Sequence, residues 1–190
     1  ESNFLGLREE DNLAALGTNS RLYAADLKSF NLYKYQNDLG NIPISPMAGS
    51  RTIPKGQKYF HSAIRGAPPS IAVFEFLAQN KPRLIKIIDQ PISVLLVQQK
   101  ENSLYVLQSG NNLKFNLKIF NIASNGIDLV ERSNLEVYDF GSQAGIQSWA
   151  GNAIMDITSD KKAVFAIWNR DNRTAIVTVN ISNSAAPTIL

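Results

Sequence analysis

Histidine occurs once in the 190 residues, at His61, and cysteine not at all. A Ser-His-Asp triad would rest on that one ring, and a multi-histidine metal site is excluded. The lack of cysteine removes thiol nucleophiles, thiolate metal sites and any disulfide framework. A lone histidine within a strand reads as a structural residue. Ser148 sits in Gly145-Ile146-Gln147-Ser148-Trp149-Ala150-Gly151, without the Gly-x-Ser-x-Gly spacing that sharpens a nucleophile elbow. Ser159 and Lys162 have Ser-x-x-Lys spacing, but they fall between two strand-forming runs, where a hairpin turn accounts for them better than a catalytic pair on a helix. No residue is assigned to catalysis.

Asp26, Asp89, Asp156 and Asp171 are carboxylates that could line an axial channel, and a ring of such oxygens would suit calcium, a hard cation taking six to eight oxygen ligands. None lies in an Asp-x-Asp-x-Asp-Gly loop, and the four do not recur in register, so no metal or other cofactor is assigned. No glycine-rich phosphate loop occurs, which leaves nucleotide binding without a motif. Positive charge is concentrated: Arg51, Lys55, Lys58, Arg65, Lys81, Arg83 and Lys86 face the single acid Glu75 between 51 and 86, while the whole chain is +3. Such a stretch would draw an acidic surface, or it discourages edge pairing of strands. Its aromatics, Tyr59, Phe60, Phe74 and Phe76, are taken up by strand periodicity, so nucleic acid would find charge without a stacking platform. The partner-binding candidates are Arg51, Lys55, Lys58 and Arg65, together with Gln143 and Trp149, the tryptophan expected to be exposed. Trp168 is expected to be half-buried core. Asn172-Arg173-Thr174 and Asn180-Ile181-Ser182 are glycosylation patterns, meaningful only in a secreted eukaryotic chain.

The elements that would carry these residues are strands. With 44% hydrophobic and 18% charged residues, the chain reads as a folded body, slightly poor in charge against the usual ~25%. Interior apolar runs are short, as at Val94 to Val97, far short of the roughly 18 needed for a membrane-spanning helix. The first residue is Glu1, which suggests a processed chain or an excised piece.

A repeat organises the strands. Runs around Tyr23, Phe60, Tyr105 and Phe165 are each followed by a second alternating run ending at Tyr35, Phe76, Ile122 and Ile181, at offsets of 12, 16, 17 and 16 residues. A preceding strand ends at Leu16, Val97 and Ile157, with Ile53 a weaker match, and polar turns such as 17–20, 54–57, 99–102 and 159–162 lie between. A fourth strand follows at Ile42, Leu84, Leu129 and Ile189. Second-strand spacings of 41, 46 and 59 residues match β-propeller blades of about 40–50 residues. The expected fold is therefore all-β: a propeller of about four four-stranded antiparallel blades, with units near 4–41, 42–82, 83–128 and 129–187. The longest interval implies an insertion near 133–151. A β-sandwich also uses short strands but does not require regular offsets. Because Pro187-Thr188-Ile189-Leu190 opens a further unit in this alignment, a piece of a larger ring is favoured over a ring closed by strand exchange.

The segment Val177-Thr178-Val179-Asn180-Ile181-Ser182-Asn183-Ser184-Ala185-Ala186-Pro187 resembles the LVIVD repeat of bacterial and archaeal surface proteins. Ile157-Thr158-Ser159-Asp160-Lys161-Lys162-Ala163-Val164-Phe165-Ala166 is similar to the Ser-x-Asp-Gly-Lys-x-Leu-Tyr-Val hairpin of YVTN-type and WD40-like propellers. Asn180 replaces the usual aspartate, Ser184 the first proline and Lys161 the hairpin glycine. The resemblance implies a propeller, often in an extracytoplasmic setting (periplasm, cell surface or secreted), and no shared chemistry. The expected function is a non-catalytic scaffold or recognition module that binds a protein or glycan partner through rim loops, with further blades or another chain completing the ring. The alternative is a lactonase-like propeller hydrolase with an axial metal ion.

Overall fold

The structure, a computed structural model, describes residues 2–8, 13–18, 22–29, 31–34, 57–64, 68–75, 83–110, 114–141, 152–168 and 173–190. Among them there are strands and turns and no helix. The first sheet is β1 (Ser2–Arg8), β2 (Leu13–Thr18), β3 (Leu22–Asp26) and β4 (Asn31–Lys34), paired in that order. The second holds β5 (Tyr59–Ile64), β6 (Ser70–Glu75) and β7 (Arg83–Asp89); the strand expected near Ile53 lies outside the described residues. The third is β8 (Ser93–Lys100), β9 (Ser103–Ser109), β10 (Lys114–Ile122) and β11 (Leu129–Asp139). The fourth is β12 (Asn152–Ile157), β13 (Lys162–Trp168), β14 (Thr174–Asn180) and β15 (Thr188–Ile189). Every pairing is antiparallel between sequential strands.

Face-to-face burial holds the second, third and fourth sheets together. On the third sheet, Val97, Leu104, Val106 and Phe120 pack against Ala63 and Ile71 of the second. The alternate residues Tyr105, Leu107, Leu117 and Ile119 pack against Met155, Ala163, Phe165 and Val177 of the fourth. One sheet covered on both faces by different sheets is not a two-layer sandwich; sheets in chain order, with the third leaning on both the second and the fourth, are the blades of a β-propeller. Burial falls across the second and third blades. In the third, β8 and β9 are almost wholly buried, whereas β11 is largely exposed.

The blades are phased differently from the sequence units. Strands β7 and β11, which start at 83 and 129, close the sheets before them rather than opening the next. In the first sheet the Tyr23 strand is third, whereas those of Tyr105 and Phe165 are second in theirs, which explains why its offset of 12 stood apart. The insertion begins later than the spacing suggested, because Ser133–Asp139 continue β11; residues 142–151 lie outside the described residues.

The loop between β10 and β11 touches the second blade. Gly126 has φ of +73°, and a Cβ there would lie 2.6 Å from Tyr59 Cδ2. Gly126→Ala is expected to destabilise the protein by roughly 1–3 kcal/mol, through the left-handed backbone and the displaced ring. The check is a urea midpoint lowered at constant slope; an unchanged midpoint would show that the loop does not brace β5.

Candidate functional site

The polar side chains that the fold gathers lie where β5, β8 and β12 adjoin. Strand β8 ends Gln98-Gln99-Lys100, and strand alternation sends these residues to opposite sides. Gln99 turns to the second blade, where its Oε1 is 3.0 Å from His61 Nδ1. Gln98 turns to the fourth, and its Nε2 donates to Asp156 Oδ1 at 3.3 Å. Lys100 turns the same way, and its Nζ donates to the backbone oxygens of Ile157 and Thr158 at 3.0 and 2.7 Å. Below them the buried Gln108 Nε2 donates to Gln90 Oε1 at 3.1 Å. Hydrogen bonding of this kind is what makes buried amides tolerable in a core.

His61 is fully buried, and burial pulls its pKa down to about 4, with the Gln99 hydrogen bond opposing. Facing an amide oxygen, Nδ1 carries the hydrogen and the ring is neutral at pH 7; Nε2 has no hydrogen-bond partner among the described residues. The structural reading of this residue fits its position.

At the turn end of the same seam, a notch opens between the third and fourth blades. Its walls include Lys100, Glu101, Ser103 and Tyr105 on one side and Thr158, Ser159, Lys161, Ser182 and Ser184 on the other. The β12–β13 turn is internally fixed: Lys162 N donates to Thr158 Oγ1 at 3.0 Å, Thr158 Oγ1 donates to Asp160 Oδ1, and Lys162 Nζ pairs with Asp160 Oδ2 at 2.7 Å. Ser159 and Lys162 therefore belong to a hairpin, with the ammonium on Asp160. On the fourth blade's wall, Ser182 N and Oγ both donate to Asn180 Oδ1, so this glycosylation-type asparagine shapes a turn.

The carboxylates considered for an axial ring do not converge. Asp26 accepts from the side chain of Ser29 and from the backbone of Ser29 and Lys28, and these bonds hold its pKa below the usual range. Asp89 accepts from Ser70 Oγ, and Asp156 from Gln98; Asp171 lies outside the described residues. Among the described residues no three histidine, aspartate or glutamate side chains are grouped to hold a metal ion.

Of the partner-binding candidates, Lys58 alone is described. Its Nζ lies 2.9 Å from Glu75 Oε1 and 5.3 Å from the Tyr59 ring centroid, and Glu75 raises its pKa. Arg83 also pairs with Glu75, at 2.9 Å, and Lys86 pairs with Asp128 of the next blade. The described part of the basic window is thus an ion-paired surface. Arg51, Lys55, Arg65, Gln143 and Trp149 lie outside the described residues. Trp168 ends β13 half-buried. Sequence reasoning missed Gln98 and Gln99. Residues 99–102 read as a turn, but β8 continues through Lys100 and the turn is Glu101-Asn102, with Glu101 at φ of +53°. The available signal was two glutamines extending the apolar run 94–97.

Fold and site define a β-propeller whose blades are pinned by polar pairs near their inner strands. In shape the whole chain is similar to a "putative 6-phosphogluconolactonase" from Bacteroides fragilis NCTC 9343, with a TM-score of 0.59 and 12% identity, covering 100% of this chain and 52% of that one. The chain thus spans about half the length of the solved protein, and at this identity the likeness shows the fold alone. No protein-family model and no curated protein matches it.

Proposed function

We propose that the chain is a non-catalytic recognition or scaffold propeller of an extracytoplasmic or multi-subunit assembly, taking a protein or glycan partner at its hairpin turns. The notch between the third and fourth blades carries this reading. It offers the hydroxyls of Ser103, Ser159, Ser182 and Ser184, while the ammonium best placed for chemistry, Lys100, is committed to two backbone oxygens. Hydroxyls gathered beside the hairpin turns suit hydrogen bonding to amides or sugars. The inner polar groups, His61 with Gln99 and Gln98 with Asp156, fasten blades to one another.

A second reading has the likeness to the Bacteroides protein in its favour: a hydrolase in which water opens the ring ester of a phosphorylated sugar lactone, with an axial ion held by carboxylates. Against it, Asp26, Asp89 and Asp156 serve different elements. The deciding measurement is the opening of 6-phosphogluconolactone, followed by proton release with and without added calcium. The expected rate is the spontaneous one under both conditions. Turnover proportional to protein concentration would overturn the non-catalytic reading, and its loss on chelation would establish the axial ion.

A further inference from the structure

The loop between β10 and β11 carries the chain's one Asn-Gly pair, Asn125-Gly126. A glycine has no Cβ to keep its amide nitrogen away from the preceding side chain. In a free chain the Gly126 nitrogen can therefore attack Asn125 Cγ. The nitrogen loses its proton and forms the new C–N bond, the Cγ–Nδ2 bond breaks, and ammonia leaves. Water then opens the resulting succinimide at one carbonyl or the other, giving aspartate or isoaspartate. Asn125 is exposed, so burial does not keep water from it.

The folded loop instead occupies the groups that the reaction needs. Gly126 N donates to Ala123 O at 2.8 Å, which keeps its proton on a carbonyl oxygen. Asn125 Oδ1 accepts from Ile127 N at 2.9 Å and Asp128 N at 3.0 Å, and Nδ2 donates to Asp128 Oδ2 at 2.7 Å. Asp128 is in turn paired with Lys86 of the second blade. Lys86 first, and the Asn125 amide after it, hold the Asp128 carboxyl below the usual range, so it stands ionised and needs donors on both oxygens. The second blade thus grips both ends of the loop, through Tyr59 close to Gly126 and through Lys86 on Asp128.

We infer that Asn125-Gly126 is a deamidation site held shut by the clasp of this loop on the second blade, and that it reacts when the clasp opens. Either product would hinder reclosing. Aspartate would set a carboxylate where the amide now donates to Asp128, an acceptor against an acceptor; isoaspartate would add a methylene to the backbone of the turn. The site would therefore keep a covalent mark of opening. This inference does not rest on the proposed function: lactone turnover would overturn that reading and leave this one standing.

The test is the rate at which the 190-residue protein deamidates at mildly alkaline pH, in buffer and in guanidinium chloride. Mass spectrometry of the Asn125 peptide follows the conversion, and an isoaspartate-specific methyltransferase counts the rearranged product. In buffer the wild type is expected to react roughly tenfold or more slowly than in denaturant, since attack waits on local opening. Lys86→Met, remote in sequence and so without effect on intrinsic reactivity, should react about two- to fivefold faster than wild type in buffer, as the loss of an exposed ion pair allows, and equally fast in denaturant. Lys114→Met, which breaks an ion pair at the other end of β10 and β11, should match the wild type in both. Equal wild-type rates in buffer and denaturant, or no conversion in either, would overturn the inference. So would a buffer rate that Lys86→Met leaves unchanged, or that both substitutions raise alike.

Discussion

Phe165→Ala should lower the unfolding free energy by about 4–5 kcal/mol, and Tyr105→Ala by about 3, because both rings fill the same apolar seam between the third and fourth blades. Phe165 has no exposed surface, so truncation opens a cavity among Leu, Ile and Val side chains that are held by strand pairing and cannot collapse into it. Tyr105 is 8% exposed and borders the polar notch; its phenol, whose pKa burial raises, lies at the seam's edge, so water can partly refill the space left there. Removing both should cost less than the separate losses added together, since the second truncation enlarges an existing cavity. Chemical denaturation of the single and double variants measures all three terms. A Tyr105→Ala protein as stable as the wild type would show that this residue does not anchor the blade seam.

That seam also shows what the sequence could reveal. Strand existence was legible from alternation and turn residues: the runs around Tyr105 and Phe165, and the alternating runs after them, are β9, β13, β10 and β14. Which face each aromatic takes was not. The β8–β9 turn holds two residues, Glu101 and Asn102, whereas the β12–β13 turn holds three, Ser159 to Lys161. One extra residue reverses every later side chain in a strand. Tyr105 and Phe165, aligned as equivalents, therefore point at each other from adjacent blades, and the position equivalent to Phe165 is Val106. Lys161 carries a second lesson: it stands where the resembled hairpin has glycine, and at φ of +58° it adopts the backbone that glycine would take without strain.

The candidate site was less legible, because seam polarity depends on packing partners far apart in the chain. His61 and Gln99 are 38 residues apart, and Gln98 and Asp156 are 58 apart. Nothing in the local pattern distinguishes a glutamine that meets a buried imidazole from one in a solvated turn. Once β8 is seen to lie between β5 and β12, alternation assigns Gln98 and Gln99 to opposite neighbours without further information.

The buried imidazole gives the second large expectation. Above pH 6.5 His61 is neutral in both the folded and the unfolded chain. As pH falls below that ordinary value, the unfolded chain takes up a proton that the folded protein refuses until about pH 4. Stability contributed by this group is thus complete above the unfolded pKa, is lost as pH falls from about 6.5 to 4, and levels off below, a total of ~3 kcal/mol. His61→Leu removes that titration. The variant leaves Gln99 facing an apolar group, so at pH 7 it should be less stable by roughly 1–3 kcal/mol, yet its stability should fall less between pH 7 and 4, and the two curves should converge. Asp26, Glu75, Asp128 and Asp160, whose pKa values are lowered by hydrogen bonds and ion pairs, lose their contributions only as pH passes below the ordinary carboxylate range, and do so alike in both proteins. Urea unfolding at a series of pH values separates the terms: parallel curves for wild type and His61→Leu would show that the imidazole is protonated in the folded protein as readily as in the unfolded one, and that burial in the seam does not hold it neutral.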